Sequence, residues 1–470
     1  MIALPTYSGE TAIFGLGRSG LAAVAALCAV GNRVVAWDDA EAPRAKAAEL
    51  GADIRDLAQD FGTAERLIVS PGVPLTHPEP HGVIAAARAA NAEIWGDMDL
   101  FADALAHGDL GEAVTLIGIT GTNGKSTTTA LVTHMLEMAG HKTHQGGNIG
   151  TPVLELPLEK GAAYVLELSS YQLDLNRRFD VDIGVWLNLT PDHLDRHGDM
   201  AGYAAAKAQL FADGKAARAR IIGIDDAYMR ALADNLAQDG LPLVTLGAQN
   251  ADLIYLANAF QDGSENISLA DYPALPGAHN AQNAAAAFAV GQAMGLSQKQ
   301  ILAAFESFGG MPHRLQIIAD YEAIKFVNDS KATNIEATRH ALAAFDNIYW
   351  IAGGRAKMDA DGQIGLDMLN PYFGNVRGAY LIGEAAQVFA NALADAMPTR
   401  VSGTLDQAVA DAAMQAKSDH LEAPVVLLSP ACASFDQYED FEARGDAFAA
   451  ATVDWINADK AVAINAEGAR

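Results

Sequence analysis

Basic residues are scarce. Lys and Arg number 31 against 58 Asp and Glu, a formal net charge of −27. Such a chain repels polyanions, which argues against nucleic acid as a partner, and an anionic small ligand must be drawn by local donors. Cysteine is scarcer still. Cys28 lies in an alanine-rich helical pattern and Cys432 in Ser-Pro-Ala-Cys-Ala-Ser, so neither a disulfide framework nor a zinc spacing exists. No apolar run approaches the roughly 18 residues that span a bilayer, and the stretch from Met1 has no basic n-region. A soluble cytoplasmic protein with no membrane insertion is expected. Short-period repeats and low-complexity tracts are missing as well. What remains is a chain of 470 residues, half of them hydrophobic and 19% charged, too long for one hydrophobic core and sized for about three domains.

Apolar strand-like runs alternate with amphipathic helical stretches from end to end, the pattern of βαβ units and mainly parallel sheets. The most informative junction follows Val114–Ile119 and precedes the helical Thr128–Glu137: Gly121-Thr122-Asn123-Gly124-Lys125-Ser126-Thr127. Glycines let backbone N–H groups close around phosphate oxygens, and a helix N-terminus adds a favourable dipole. Lys125 can reach the β/γ phosphates and Ser126 can ligate Mg²⁺. The spacing departs from a strict Walker A, since Ile119 stands where the first glycine would be. ATP is the expected nucleotide.

Glycine loops divide the chain into three blocks, 1–101, 102–310 and 311–470. In the first, Thr11–Phe14 reads as a strand, Gly15-Leu16-Gly17-Arg18-Ser19-Gly20 as a turn into the helix Leu21–Val30, and Val34–Trp37 as a strand ending at Asp38 and Asp39. A GxGxxG turn with an acidic residue about twenty positions on suits a dinucleotide or another phosphate-bearing ligand. Leu67–Val69 delivers Ser70, Pro71 and Gly72 to the same sheet edge. In the second block, Tyr164–Leu168, Asp182–Asn188 and Arg220–Ile224 read as strands, and Gly146–Gly150 as a further loop. The third block places Pro312–Arg314, Asn328–Asn334, Ala352–Lys357 and Ser429–Asp436 after or between apolar runs at Lys325–Val327, Ile348–Ile351 and Val425–Leu428.

Mg²⁺ on ATP wants hard oxygen ligands, so Ser126 calls for a carboxylate nearby, and Glu167 at the end of a strand flanked by Leu166 and Leu168 answers to that. His193, in the polar run Pro191–His197, suits a second metal or a substrate contact. Lys207 sits in the alanine-rich Ala201–Phe211, where pattern alone reads as a snorkelling surface lysine. A partly buried lysine of lowered pKa could instead react with CO₂ and become an anion able to bind metal.

Taken in order, the N-terminal glycine turn, Gly121–Thr127, Gly146–Gly150, Glu167–Leu173, Asp192–Arg196, Pro312–Arg314, Asn328–Asn334 and Ser429–Gln437 resemble the ATP-dependent Mur ligases of bacterial cell-wall synthesis, relatives of folylpolyglutamate synthetase. The Gly-Thr-Asn-Gly-Lys-Ser loop is similar to that family's own signature. Asp329-Ser-Lys-Ala-Thr-Asn334 and Ser429-Pro-Ala-Cys-Ala-Ser434 look like the D-glutamate-adding branch. The resemblance implies an α/β protein of three domains: a Rossmann-like N-terminal domain for a UDP substrate, a central P-loop ATPase-type domain with a mainly parallel sheet, and a Rossmann-like C-terminal domain for the amino acid. It implies that Leu16, Arg18, Ser19, Asp38, Asp39, Ser70, Gly72 and Asn148 hold the UDP substrate. ATP falls to Gly121–Thr127, Asn283, Arg314 and Asp329, and Mg²⁺ to Ser126, Glu167, His193 and a carbamylated Lys207. D-glutamate falls to Lys331, Thr333, Lys357, Ser434 and Phe441. At Asp39, Ala40 and Glu41 the chain departs from the family pattern, which leaves uracil recognition there open.

The implied chemistry is amide formation through an acyl phosphate. Lys125, His193, Arg196 and the metal ions neutralise charge as two anions approach, and the third domain closes over the second to exclude water. The expected partners are small molecules, UDP-N-acetylmuramoyl-L-alanine and D-glutamate, with the chain a monomer. Other readings stay open: a folylpolyglutamate synthetase-like ligase or another Mur ligase, a nicotinamide oxidoreductase resting on Gly15–Gly20 alone, and a plain P-loop ATPase.

Overall fold

The computed structural model describes every residue except 1, 109, 111–113, 273, 276, 357–363 and 469–470, without the side chains of 213, 336 and 462–468. The chain forms two compact units, Met1–Phe308 and Gly309–Arg470.

The first unit holds two sheets. One comprises β1 (Glu10–Phe14), β2 (Arg33–Trp37), β3 (Asp53–Ile54), β4 (Arg66–Val69) and β5 (Glu93–Trp95), all parallel, in the order β3-β2-β1-β4-β5. The other comprises β6 (Thr115–Thr120), β7 (Thr143–Gly147), β8 (Ala163–Glu167), β9 (Ile183–Trp186), β10 (Ala219–Gly223), β11 (Leu243–Gly247), β12 (Leu253–Tyr255), β13 (Ala259–Asp262) and β14 (Glu265–Ser268), in the order β14-β13-β12-β11-β10-β9-β6-β8-β7. Only the β12-β13-β14 meander at its edge is antiparallel, and that hairpin run was not foreseen from the sequence. The second unit carries β15 (Gln316–Tyr321), β16 (Ile324–Asn328), β17 (Ile348–Gly353), β18 (Val376–Ile382), β19 (Thr399–Gly403) and β20 (Val425–Leu428), in the order β15-β16-β20-β17-β18-β19, parallel except for β15.

The fold is α/β with three largely parallel sheets, as the alternating pattern predicts. Their central strands are buried on both faces, which is why β9, β17 and β20 read as unbroken apolar runs. In the first two sheets the winding reverses beside an inner strand, β1 in one and β6 in the other. Loops diverge at such a reversal and leave a crevice at the carboxyl ends of the strands.

The two sheets of the first unit share apolar packing. Leu100, Phe101 and Ala104 of the helix Asp97–His107 belong to one buried cluster with Ile13 and Leu27 on one side and Leu166 and Trp186 on the other. The expected boundary near Phe101 therefore falls inside a helix that serves both sheets. Asp99, fully buried, locks it: its carboxylate accepts the N–H groups of Gly96 at 3.0 Å, Arg177 at 2.9 Å and Arg178 at 2.7 Å. Removing that carboxylate strands buried donors, each of which costs about 1–3 kcal/mol. Asp99→Ala is expected to lower the unfolding free energy of this unit by at least about 3 kcal/mol in urea titrations followed by tryptophan fluorescence; a loss below about 1 kcal/mol would show that Asp99 does not hold the sheets together.

Candidate active site

Four neighbouring strands of the central sheet, β9-β6-β8-β7, present their carboxyl ends side by side. From β6 the chain enters Gly121–Gly124 and then the helix Lys125–Met138. Gly124 takes φ +82°, and a Cβ there would lie 2.2 Å from Asn283 Oδ1, so only glycine allows the loop to close against that asparagine. Asn283 also accepts the Thr128 hydroxyl at 3.2 Å. The Lys125 ammonium lies over the loop, donating to the carbonyls of Gly121 and Thr122 at 2.9 and 2.8 Å.

Asn188, two residues past β9, braces the same loop. Its side-chain amide accepts the Asn123 N–H at 2.9 Å and donates to the Asn123 carbonyl at 3.2 Å, and its amide nitrogen reaches Gln282 Oε1 at 2.8 Å. In the sequence Asn188 reads only as the end of a strand, and Tyr171, Tyr203 and Gln282 carry no signal of a role of their own.

Glu167 is the last residue of β8 and is 1% exposed. One carboxylate oxygen accepts the Asn148 amide at 2.8 Å; the other is buried without a hydrogen-bond partner. A buried orphan oxygen of this kind demands a counter-charge, and the hard-oxygen donor set of Glu167 and Ser126 fits Mg²⁺. No three His, Cys, Asp or Glu side chains cluster as a metal site among the described residues. A cation here would complete its shell with Ser126, phosphate oxygens and water.

Lys207 corrects the pattern-based expectation of a surface lysine. It is 1% exposed, donates to Thr120 Oγ1 at 3.2 Å and to the Gly121 carbonyl at 3.0 Å, and lies 4.8 Å from the centre of the Tyr203 ring. Desolvation by burial, reinforced by the neighbouring Lys125 ammonium, pushes its pKa down to about 7, with Asp192 and Glu167 opposing. The helix Met200–Ala208 is alanine-rich because it packs closely, not because it faces solvent.

His193 sits in a left-handed turn at φ +52° and is exposed; its Nδ1 lies 3.1 Å from the Tyr171 hydroxyl and its Nε2 3.4 Å from Asp192. His197 behind it is buried, bonded to Ser170 at 3.0 Å, and desolvation lowers its pKa to about 4. Arg196 departs from the expected charge-neutralising role. Its side chain is 5% exposed, it donates to the Val73 carbonyl at 3.2 Å, and its remaining nitrogens are inaccessible, so it cannot touch a reacting phosphate in this conformation.

On the N-terminal sheet, a Cβ on Gly20 would fall 1.9 Å from the Gly15 carbonyl, which is the close approach the GxGxxG spacing requires. Ser70 bonds the same carbonyl at 2.5 Å. Asp38 accepts the Leu16 N–H at 2.6 Å and that of Ala40 at 2.9 Å, so one carboxylate shapes the loop. Leu16 is buried with its N–H taken by Asp38, while Asp39 points outward near His81. Arg18 crosses to the Gly150 carbonyl at 2.7 Å, joining this edge to the turn that carries Asn148; Ser19 is half-buried and Gly72 exposed.

In the second unit, β16 and β20 are neighbours and their carboxyl ends carry Asp329–Asn334 and Ser429–Ser434. Asp329 accepts Ser429 Oγ at 2.8 Å and the Leu315 N–H at 3.2 Å, and burial pushes its pKa up to about 7. Arg314 is exposed, Lys331 lies 5.7 Å from the Phe441 ring centre, Thr333 is half-buried and Ser434 buried. Arg444, unforeseen, is buried and binds Ser330 Oγ at 3.0 Å, the Ser330 carbonyl at 2.9 Å and the Cys432 carbonyl at 3.1 Å, fixing both loops. Lys357 lies outside the described residues.

Residues 9–96 match the N-terminal domain of MurD-like Mur ligases, 119–291 the Mur ligase middle domain, and 313–432 the glutamate ligase domain of Mur ligases. The chain belongs to the Mur ligase family. Mur ligases are ATP-dependent ligases, in keeping with the phosphate loop on β6. Among relatives, the UDP-N-acetylmuramoylalanine--D-glutamate ligase of Rhizobium etli is 48% identical over 93% of both chains, and that of Caulobacter vibrioides 45% identical over 96% of this chain and 97% of its own. The fold is shared with UDP-N-acetylmuramate-alanine ligase from Thermotoga maritima, at 17% identity and TM-score 0.54 over 93% of this chain and 98% of that one. It is shared too with UDP-N-acetylmuramoyl-L-alanyl-D-glutamate--2,6-diaminopimelate ligase, at 19% identity and TM-score 0.56 over 84% and 93%.

Burial of Lys207 has a thermodynamic signature. Its folded-state pKa lies below the ordinary 10.5, so below about pH 7 the folded state carries the full penalty of a buried charge. Between about pH 7 and 10 the unfolded chain binds more protons, and stability rises with pH on this account. The stability of the unaltered chain relative to Lys207→Met, measured by urea unfolding at about pH 6 and about pH 9, is expected to improve at the higher pH. A difference that stays constant would contradict a neutralised buried amine.

Proposed function

We propose that this Mur ligase adds D-glutamate to UDP-N-acetylmuramoyl-L-alanine with ATP, forming ADP and phosphate, in the cytoplasmic synthesis of peptidoglycan precursors. The observation that carries the reading is the edge of the central sheet, where the phosphate loop, the orphaned Glu167 oxygen and the Lys207 amine converge. The 45–48% identity to D-glutamate ligases over nearly the whole chain names the substrates.

In this reading the chain works as a monomer of three functional domains, the first two meeting at the shared helix Asp97–His107 rather than parting at 101, and the third beginning near 311. Leu16, Arg18, Ser19, Asp38, Asp39, Ser70 and Gly72 form the edge that holds the UDP handle, and Asn148 meets the muramoyl end. Backbone N–H groups of Gly121–Thr127 cradle the triphosphate and Asn283 meets the adenine. Arg314 and Asp329 complete the nucleotide contacts, and Lys331, Thr333, Lys357, Ser434 and Phe441 take D-glutamate. Ser126, Glu167 and His193 would hold Mg²⁺, which supplies charge neutralisation at the transferring phosphoryl group.

The alanyl carboxylate oxygen attacks the γ-phosphorus and ADP leaves. The amine of D-glutamate then attacks the acyl carbon, the amide bond forms and phosphate departs with the activated oxygen. Phosphorylation is needed because a carboxylate at neutral pH is a poor electrophile. Lys125 offsets the negative charge that gathers as two anions meet. Lys207, substantially neutral near pH 7, has a lone pair for CO₂: the amine nitrogen bonds to carbon, a proton is lost, and a carbamate anion results.

Phosphate release measured with UDP-N-acetylmuramoyl-L-alanine, ATP and Mg²⁺ is expected to require D-glutamate, and Lys125→Ala to lower kcat at least about a thousandfold. Release that proceeds equally without any amino acid would refute the ligase assignment.

A further inference from the structure

Arg196 buries a guanidinium at a site where burial is costly. Its Nε and Nη1 lack hydrogen-bond partners, with only an ion pair from Nη1 to Asp174 at 3.3 Å, so the desolvation of the guanidinium is incompletely offset. What it gains is position. The residue belongs to the short helix Leu194–His197 on the central sheet, yet its Nη2 donates to the carbonyl of Val73, which follows β4 of the N-terminal sheet.

Val73 is itself part of the glycine-turn assembly. Its N–H bonds the Ser70 carbonyl at 3.0 Å, and the Ser70 hydroxyl bonds the Gly15 carbonyl. On the other side, the guanidinium lies 5.5 Å from the centre of the Tyr171 ring, whose hydroxyl meets His193 Nδ1 at 3.1 Å. One continuous set of contacts thus runs from the Gly15 turn through Ser70, Val73, Arg196 and Tyr171 to His193. A second contact closes the same seam: a Cβ on Gly198 would come within 3.0 Å of His77 Nε2, so the loop after Val73 rests directly on the turn after Arg196.

We propose that Arg196 is a clasp that couples the nucleotide-holding loop Ser70–Val73 to the turn bearing His193, a positioning residue that ties occupancy of the UDP site to the order of the reaction centre. The proposal rests on the functional reading above, in which UDP occupies the Gly15–Ser70 edge. Lysine cannot replace the arginine, because an ammonium is a single point of charge and cannot reach Val73, Asp174 and the Tyr171 face together.

The test uses UDP alone, which fills the handle site and carries no acid to touch His193. Amide hydrogen exchange of the full chain is followed with and without millimolar UDP. In the unaltered chain UDP is expected to slow exchange at residues 15–20 and 70–73 and also at 193–198; in Arg196→Lys only the first two segments respond. In steady-state assays Arg196→Lys is expected to raise KM for UDP-N-acetylmuramoyl-L-alanine about tenfold, with KM for ATP within about twofold and kcat lowered less than about threefold. A kcat loss of about a hundredfold at unchanged KM would make Arg196 catalytic and overturn the clasp, as would equal slowing of 193–198 in both proteins. No response at 15–20 and 70–73 would reject the UDP site itself, whereas a response there without one at 193–198 in the unaltered chain rejects only the coupling. Should Arg196→Lys fail to fold, His77→Ala, altered on the exposed side of the seam, is expected to raise the same KM about threefold, and an unchanged KM refutes the proposal.

Discussion

The whole site depends on where the central sheet reverses its winding. β6 has β8 on one side and β9 on the other, so three successive carboxyl ends deliver a phosphate loop, a carboxylate and an asparagine brace to one crevice. Parallel strands must be buried on both faces, and helices cover those faces, which leaves the strand ends as the place for polar chemistry. The same constraint repeats in the N-terminal sheet, where β1 carries the Gly15 turn beside the Ser70 loop. It recurs in the second unit, where the β16 and β20 ends carry Asp329 and Ser434.

Electrostatics then sets the division of labour. The chain as a whole is strongly acidic, yet the phosphate loop gathers two lysines whose roles burial separates. Lys125 lies over the loop carbonyls, while Lys207, desolvated and repelled by Lys125, has its pKa pushed down to about 7. Glu167 presents a buried oxygen with no partner. The lysine-bearing loop, a carboxylate with one partnerless oxygen and an amine of lowered pKa meet at one sheet edge, a division that a surface-charge count would not reveal.

Much of this was legible in the amino-acid order, and the reasons differ by element. Strands such as Ile348–Gly353 and Val425–Leu428 stand out because two-sided burial makes every position apolar. The phosphate loop stands out because backbone N–H groups can surround phosphate only where glycines remove Cβ atoms. β7, Thr-His-Gln-Gly-Gly, escapes notice because an edge strand need not be apolar, and the meander β12-β13-β14 because its short strands alternate weakly. Lys207 among alanines looks like a surface lysine, since nothing local records that Thr120 and Gly121 wait as acceptors some ninety residues away in the chain. Arg196 and Arg444 are hidden for the same reason: a buried guanidinium is defined by carbonyls brought to it by tertiary packing.

The central claim is that the crevice at β6 uses ATP to turn a carboxylate into a leaving-group-bearing acyl centre. The most direct measurement is isotope transfer with UDP-N-acetylmuramoyl-L-alanine carrying ¹⁸O in its alanyl carboxylate. One labelled oxygen should appear in the inorganic phosphate formed, in proportion to the amide made. Phosphate that contains no label while amide accumulates would contradict activation of the acid at this site.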